Sequence, residues 1–231
     1  MRVRVYIDGF NLYNRMLKRD FPQYKWLDPH KLACRLSPTR EVDQTLYFTA
    51  RVKGFGGRDQ SVLNQQIYLR AVSQNPSITI HYGQFTRHPK FMRRAEEGHS
   101  EPYVKVWRSE EKGSDVNLAS YLLADAFQDR MDMAILVSND SDFAEAITIA
   151  REEAQKTVLV YSPQHNKISK KLREVSDGIF PVRASYLKKS SLPKKISTKH
   201  KPLTMPRDWT ECRNDMAAWI RALRVIGSAH I

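Results

Sequence analysis

The order of apolar and polar residues along the chain predicts a sheet whose strands alternate with helices. Residues 133–137 and 157–161 are almost continuously apolar, which is typical of strands that are covered on both faces. Residues 44–52 instead alternate between apolar and polar side chains, with the two-residue period of a strand. The predicted strands are residues 3–7, 44–52, 78–82, 133–137 and 157–161, and the predicted helices are about 8–18, 59–72, 116–127 and 143–154.

This alternation favours an α/β fold with an open, largely parallel sheet and helices on both faces. One face of the helix at 116–127 is expected to pack against the sheet. The residues that recur with the helical period on this face are Val116, Ala119, Ser120, Leu123, Ala124 and Phe127.

A polar, basic segment at 87–101 separates the strand at 78–82 from a return strand at 103–107, so a projecting hairpin is predicted over 78–107. This segment mixes cations with an aromatic residue, as do proteins that hold phosphates and stack bases. A solvated hairpin tip is an equally good interpretation. The candidate RNA-binding residues are Arg87, Lys90, Phe91, Arg93 and Arg94.

The composition changes near the end of the chain, so residues 1–185 are predicted to form one domain. Residues 188–206 contain six lysines, three prolines and no acidic residue, which predicts a basic flexible linker over 186–206. Apolar residues at three- and four-residue steps then predict an amphipathic C-terminal helix over 207–231. Self-association through this helix is expected.

The net charge of +13 predicts a polyanionic partner, most often a nucleic acid. The two cysteines are far apart and lack the spacing of a zinc site or a disulfide framework. No apolar run reaches the ~20 residues that span a bilayer, and the first residues lack a signal core. A cytoplasmic protein without a membrane partner is therefore expected.

Acidic residues follow two predicted strands and open one predicted helix. Asp8 follows the first strand, Asp140 and Asp142 follow the strand at 133–137, and Asp115 opens the helix at 116–127. In open α/β sheets the active crevice lies beyond the carboxyl ends of the strands. Each acid alone is equally well explained as a helix cap, but together they predict one acidic site.

Clustered carboxylates repel one another unless a cation neutralises them, and hard divalent ions prefer oxygen ligands. We therefore expect Mg²⁺ or Mn²⁺, which activates water and stabilises a leaving oxygen in phosphodiester hydrolysis. Lys112, beside Asp115, is the best candidate for a phosphate contact near the metal. Lys167, Lys170 and Lys171 form either another positive wall or a solvated helix face.

Three segments resemble, in order and spacing, the motifs of the NYN domain, a branch of the PIN-like nucleases. They are residues 6–12 (YIDGFNL), 111–119 (EKGSDVNLA) and 137–143 (VSNDSDF), and the resemblance covers about residues 1–185. It implies a PIN-like fold and a metal-dependent endonuclease that acts on RNA. By this resemblance Asp8, Asp115 and Asp140 are metal ligands, and Asp142 is a further ligand or orients water.

The resemblance also places Asn11 where it supports the first aspartate or contacts phosphate. Ser138 and Asn139 are expected to orient the ligating carboxylates. Two other functions stay open: a catalytically silent RNA-binding or adaptor module, and a metal-dependent phosphatase for small molecules. The small-molecule substrate leaves the charge of +13 unexplained. An inhibitory protein partner is compatible with a small basic nuclease.

Overall fold

A parallel sheet forms the centre of the computed structural model, which describes residues 1–54, 59–95, 101–164, 166–199 and 201–210. Within these ranges the sheet has six strands in the order β3-β2-β1-β6-β7-β8, and every neighbouring pair is parallel. Its strands are β1 (Val3–Asp8), β2 (Val42–Thr49), β3 (Ile78–Tyr82), β6 (Met133–Val137), β7 (Thr157–Ser162) and β8 (Gly178–Pro181). The sequence had predicted all of them except β8, a four-residue strand that begins with glycine and ends with proline.

Helices connect the strands and cover both faces of the sheet, as predicted. They are α1 (Gly9–Leu12), α2 (Pro29–Leu36), α3 (Gln60–Val72), α4 (Ser114–Phe127), α5 (Ala144–Glu152), α6 (Lys170–Val175) and α7 (Ala184–Lys188). A π-helical turn, Tyr13–Leu17, continues α1. No helix among the described residues is long and apolar enough to cross a membrane.

The two faces of the sheet have separate hydrophobic cores because successive side chains of a strand point to opposite faces. Val5 and Ile7 of β1 belong to the core beneath α1, α2 and α3. Tyr6 belongs to the other core, where Leu118 of α4 and Ile147 of α5 are fully buried. Both cores therefore hold β1 at the centre of the molecule.

The predicted hairpin at 78–107 needs correction. Residues 78–82 form β3 in the central sheet, and the hairpin consists of β4 (Gln84–Arg93) and β5 (Tyr103–Lys112), which pair antiparallel. Residues 87–93 of the basic segment are thus strand rather than loop. The sequence did not indicate this because both faces of the ribbon carry polar side chains, so no face shows an apolar period.

The predicted buried face of α4 needs partial correction. Ala119 and Leu123 pack against the core, as predicted, but Val116 is 68% exposed and Phe127 is 57% exposed. The buried residues of this helix are Ser114, Leu118, Leu122, Asp125 and Ala126. A serine and an aspartate lie on the buried face while two of the predicted apolar residues are in solvent, so the hydrophobic period predicted the buried face only in part.

Residues 186–206 do not form the predicted flexible linker. Leu187, Leu192, Leu203 and Met205 are buried in the core beneath α2. A short antiparallel pair, β9 (Lys195–Ile196) and β10 (Leu203–Thr204), holds the segment together, and Trp26 Nε1 donates a hydrogen bond to the carbonyl of Pro193 at 2.8 Å. These spaced apolar residues bury enough surface to fix a chain whose lysines remain in solvent.

A helical turn begins at Arg207, and Trp209 packs edge-on against Trp26 and Tyr68, with ring centroids 6.2 and 5.9 Å away. The rest of the predicted C-terminal helix, residues 211–231, lies outside the described residues. Its predicted role in self-association stays a prediction.

Candidate active-site cleft

The candidate site lies where β1 and β6 are neighbours at the centre of the sheet. The chain leaves β1 toward β2 on one side, and it leaves β6 toward β7 on the other. The carboxyl ends of two parallel strands with diverging connections leave a crevice between them, which is the usual ligand site of open α/β sheets. Asp8 is the last residue of β1, and Asp140 follows the end of β6.

Asp8 is held rigidly at this point. Its side chain caps α1, with Oδ1 accepting a hydrogen bond from the backbone N–H of Asn11 at 2.9 Å. Oδ2 accepts a hydrogen bond from Ser138 Oγ at 3.0 Å. Gly9 allows the turn after Asp8 because a Cβ there would lie 2.7 Å from the carbonyl oxygen of Phe48.

Ser138 connects Asp8 to Asp140. The same Ser138 Oγ that donates to Asp8 accepts a hydrogen bond from the backbone N–H of Asp140 at 3.1 Å. Asp140 Oδ1 in turn accepts from the backbone N–H of Asp142 at 3.1 Å and caps the turn at Ser141–Phe143. One buried hydroxyl group therefore holds the Asp8 carboxylate and the backbone of Asp140.

Asn11 and Asn139 join the loops around the cleft. The backbone N–H of Asn139 donates to Asn11 Oδ1 at 3.2 Å. The Asn139 side chain donates to the carbonyl of Lys167 at 2.8 Å and accepts from the backbone N–H of Ser169 at 2.9 Å. These contacts link the ends of β1, β6 and β7, so both asparagines support the site through positioning.

Asp115 and Glu111 enter the cleft from the junction of β5 with α4. Gly113 makes this junction with φ +89°, a conformation that other residues rarely adopt. Glu111 Oε1 accepts a hydrogen bond from the backbone N–H of Ser114 at 3.0 Å, and both acids line the cleft with Asp8 and Asp140. Glu111 was not among the predicted site residues, although it stands in the motif that contains Asp115.

The negative charges of the cleft carboxylates repel one another. Burial raises the pKa of Asp8 to about 7, and the charges of Asp115 and Asp140 add to the rise. Burial also raises the pKa of Asp115, with contributions from Glu111, Asp140 and Asp142. The buried Asp8 and the neighbouring Asp115 thus resist ionisation, which a bound cation would reverse.

The acids are near one another without forming a ready-made set of ligands. Among the described residues, no group of three or more acidic, histidine or cysteine side chains is arranged to hold one metal ion. The predicted set of four aspartates is therefore not assembled around a single point. Asp142 is exposed and does not line the cleft, so only its charge reaches Asp115.

Cations form another part of the wall of this cleft of about 410 Å³. They are Arg15, Lys18 and Arg19, which lie on and just after the π-helical turn that follows Asp8. None of the three was among the predicted site residues, although their spacing of three and four residues, on and just after a predicted helix, indicates one face. Acids and cations thus meet in a single cleft.

The other predicted basic residues lie outside the cleft lining. Lys112 is exposed, with Nζ 3.6 Å from Glu110 Oε2. Lys170 and Lys171 face solvent on α6, whereas the backbone carbonyl of Lys167 accepts a hydrogen bond from the Asn139 side chain. The remaining candidates, Arg87, Lys90, Phe91, Arg93 and Arg94, lie on β4 or directly after it.

Comparisons with known proteins agree with this architecture. The family model of the NYN domain matches residues 2–183. A 6-hydroxy-3-succinoylpyridine 3-monooxygenase from Pseudomonas putida is 28% identical over 188 residues, which cover 71% of this chain and 60% of that protein. The chain thus spans less than two thirds of the length of this curated relative.

Two solved structures are more distant. A protein of unknown function from Vibrio parahaemolyticus is 17% identical with a TM-score of 0.48, covering 83% of this chain and 96% of that one. Phosphoglycerate kinase from Coxiella burnetii is 9% identical with a TM-score of 0.39, covering 81% and 49%. The family match over most of the chain decides the assignment: the protein belongs to the NYN family of the PIN-like superfamily, a nuclease-like superfamily.

Proposed function

We propose that this protein is a metal-dependent ribonuclease, an endonuclease that hydrolyses RNA phosphodiester bonds in the cleft between β1 and β6. The observation that carries the proposal is the meeting of Asp8, Glu111, Asp115 and Asp140 in one cleft that Arg15, Lys18 and Arg19 also line. Carboxylates hold a hard cation, and the neighbouring basic residues hold the flanking phosphates.

The donor set suits Mg²⁺ or Mn²⁺ in particular. Mg²⁺ keeps several of its waters and binds through one or two carboxylates together with substrate phosphates. The acids of this cleft lie close enough for their charges to interact, but they do not form a ready-made set of direct metal ligands. This arrangement fits such a mode of binding. Asp8 and Asp140 are the best placed to hold the ion, because Ser138 fixes both of them.

When bound, the ion supplies a Lewis acid that stabilises the charge on the leaving oxygen and lowers the pKa of a bound water. The protein's own groups do the positioning. Glu111 and Asp115, on the β5–α4 junction, line the same cleft and in this proposal orient the attacking water. Arg15, Lys18 and Arg19 hold the phosphates on either side of the scissile bond.

The competing functions can be distinguished by the molecules on which each would act. A catalytically silent RNA-binding module binds RNA without cutting it, and a small-molecule phosphatase acts on a short phosphate ester. The activity named for the P. putida relative is a further candidate. The cleft lining of acids and cations favours a phosphate-rich polyanion over a small aromatic acid with a single carboxylate.

The test incubates the purified full chain with a structured RNA pool, a matched DNA, p-nitrophenyl phosphate and 6-hydroxy-3-succinoylpyridine. The last reaction also contains dioxygen and a reduced nicotinamide cofactor, because a monooxygenation consumes O₂ and two electrons. Each reaction contains Mg²⁺ or Mn²⁺, with EDTA in the parallel control. We expect metal-dependent cutting of RNA inside the chain and no turnover of the two small molecules. RNA binding without cutting in every condition, or turnover of a small molecule alone, would reject the proposal.

A further inference from the structure

The ribbon formed by β4 and β5 has two chemically different faces. Residues directly opposite each other in an antiparallel pair share a face, and successive pairs alternate between faces. One face, here called the aromatic face, carries the pairs Phe85–Glu111, Arg87–Ser109, Pro89–Trp107, Phe91–Lys105 and Arg93–Tyr103. The other face carries Gln84–Lys112, Thr86–Glu110, His88–Arg108, Lys90–Val106 and Met92–Val104.

Side-chain contacts follow the same division. On the aromatic face, the Arg87 guanidinium lies 4.8 Å from the Trp107 ring centroid, and Lys105 Nζ lies 5.7 Å from that of Phe91. On the other face, Glu110 pairs with both Arg108 and Lys112. Two of the three cations of the aromatic face, Arg87 and Lys105, thus lie over rings, whereas two of those on the other face are neutralised by a carboxylate.

Three large rings of the aromatic face are in solvent. Phe91 is 65% exposed, Tyr103 is 56% exposed and Trp107 is 59% exposed. Rings of this size usually bury most of their surface, and exposed aromatic surface of this kind marks a binding site. Neighbouring positions on the face are about 7 Å apart along the strand, and Phe91 and Tyr103 sit on successive pairs.

The aromatic face leads into the acidic cleft. Glu111 belongs to this face at the root of the ribbon and also lines the cleft. From Tyr103 to Glu111 the strand rises roughly 26 Å, so a ligand that lay along the ribbon would reach the carboxylates at its end. The position of Lys90 and Met92 on the opposite face removes them from this path.

We propose that the aromatic face binds the unpaired bases of a single-stranded nucleic acid and guides the strand into the cleft. The proposal rests on the proposed function and specifies its substrate as unpaired. Aromatic rings stack on bases that are splayed out of a helix, and interleaved cations contact the backbone. A duplex hides its base faces in its own stack and offers these rings nothing comparable.

The test measures binding by fluorescence anisotropy of a labelled 12-nucleotide oligoadenylate, in EDTA so that nothing is cut. Trp107→Ala and Phe91→Ala are each expected to weaken the affinity of the full chain about tenfold, the effect of losing roughly one stacked base. Trp107→Phe should keep most of the affinity because the ring remains. The matched variants Met92→Ala and Val104→Ala, on the opposite face, should bind like the wild type.

The same variants are then measured with a duplex of equal length, for which the aromatic substitutions should change little. Equal binding by all variants, or equal losses for duplex and single strand, would overturn the proposal. Dissociation of a dimer by Phe91→Ala in sedimentation would also overturn it, because the face would then be a contact between two copies. Single-strand binding with this pattern but without cleavage rejects only the proposed function, whereas cleavage with unchanged binding rejects only the stacking surface.

Discussion

Replacing Asp8 with asparagine is expected to stabilise the metal-free protein while removing its function. Asp8 is only 4% exposed, and burial together with the charges of Asp115 and Asp140 raises its pKa from 3.8 to about 7. The folded state therefore carries a cost whenever this carboxyl is ionised. Asparagine has nearly the same shape and retains an oxygen that accepts from the backbone N–H of Asn11, but it carries no charge.

The size of the effect follows from the shift in pKa. A change of about 3 units, the difference between about 7 and 3.8, corresponds to at most ~4 kcal/mol at 1.36 kcal/mol per unit. The amide must also replace a carboxylate oxygen at Ser138 Oγ, which loses ~1 kcal/mol or more. We expect a net gain of about 2 kcal/mol, which raises the Tm of a domain of this size by roughly 4–8 °C.

The gain depends on pH with a definite sign. Below pH ~4 both states of the wild type hold the proton, so Asp8 adds no cost and the variant keeps only the loss of ~1 kcal/mol at Ser138. Between pH ~4 and 7 the folded wild type keeps a proton that the unfolded chain loses, so its relative stability falls as pH rises. Above pH ~7 the full difference is present.

Thermal unfolding in EDTA at pH 5 and pH 8 measures the difference in stability between Asp8→Asn and the wild type. Asp142→Asn, which removes an exposed acid from the loop after β6, is the control. Added Mg²⁺ should stabilise the wild type, by ~2.7 kcal/mol at one hundred times its dissociation constant, and should do less for the variant. An Asp8→Asn protein that is less stable than the wild type at pH 8, or a gap equal at both pH values, would refute the reasoning.

Two further predictions concern the framework of the site. Asp125, 2% exposed in its side chain, is paired with Arg4 and Arg130; although burial opposes its charge, hydrogen bonds from Tyr6, Arg4 and Arg130 hold its pKa below the usual value. Asp125→Asn should lower the free energy of urea unfolding by ~3 kcal/mol at pH 7. This loss of stability should shrink as the pH falls through the pKa of Asp125 in the folded protein. The control variant Asp129→Asn, at an exposed position, should change the stability little. A Cβ at Gly83 would lie 2.6 Å from Glu111 Oε1 and 2.7 Å from the carbonyl oxygen of Lys112. Gly83→Ala should therefore displace Glu111, cost ~1–3 kcal/mol of stability and reduce RNA cleavage. In the control, Gly178→Ala, the new Cβ would approach side-chain carbons no closer than 3.0 Å, so cleavage should be retained. Unchanged cleavage by Gly83→Ala would contradict the assigned position of Glu111.

The centre of the sheet was predictable from the sequence because its central strands are largely buried on both faces. Continuous apolar runs such as 133–137 require cover from both sides, and this requirement alone predicts helices on both faces. The acids after β1 and β6 were predictable for a related reason, since parallel strands place their carboxyl ends at one edge. The motif order then indicated the family, which the domain match confirms.

Contacts between residues far apart in the sequence determined the features that the sequence did not indicate. Asp125 lies on the buried side of α4 because Arg4, Tyr6 and Arg130 satisfy its charge, and no local pattern shows such partners. The lysines near residues 188–201 obscured the apolar residues that fix this segment to the core. The entry of Glu111 into the cleft depends on the close approach of Gly83, a contact between residues 28 positions apart.

The most direct test of the central claim is the single-turnover rate of RNA cleavage by Asp140→Asn, compared with Asp129→Asn at the opposite end of the sheet, over a range of Mg²⁺ concentrations. If the cleft between β1 and β6 performs metal-dependent hydrolysis, Asp140→Asn should lose more than about a hundredfold in rate while RNA binding persists, and Asp129→Asn should match the wild type. Cleavage by Asp140→Asn at the wild-type rate, with the same dependence on Mg²⁺, would contradict the account.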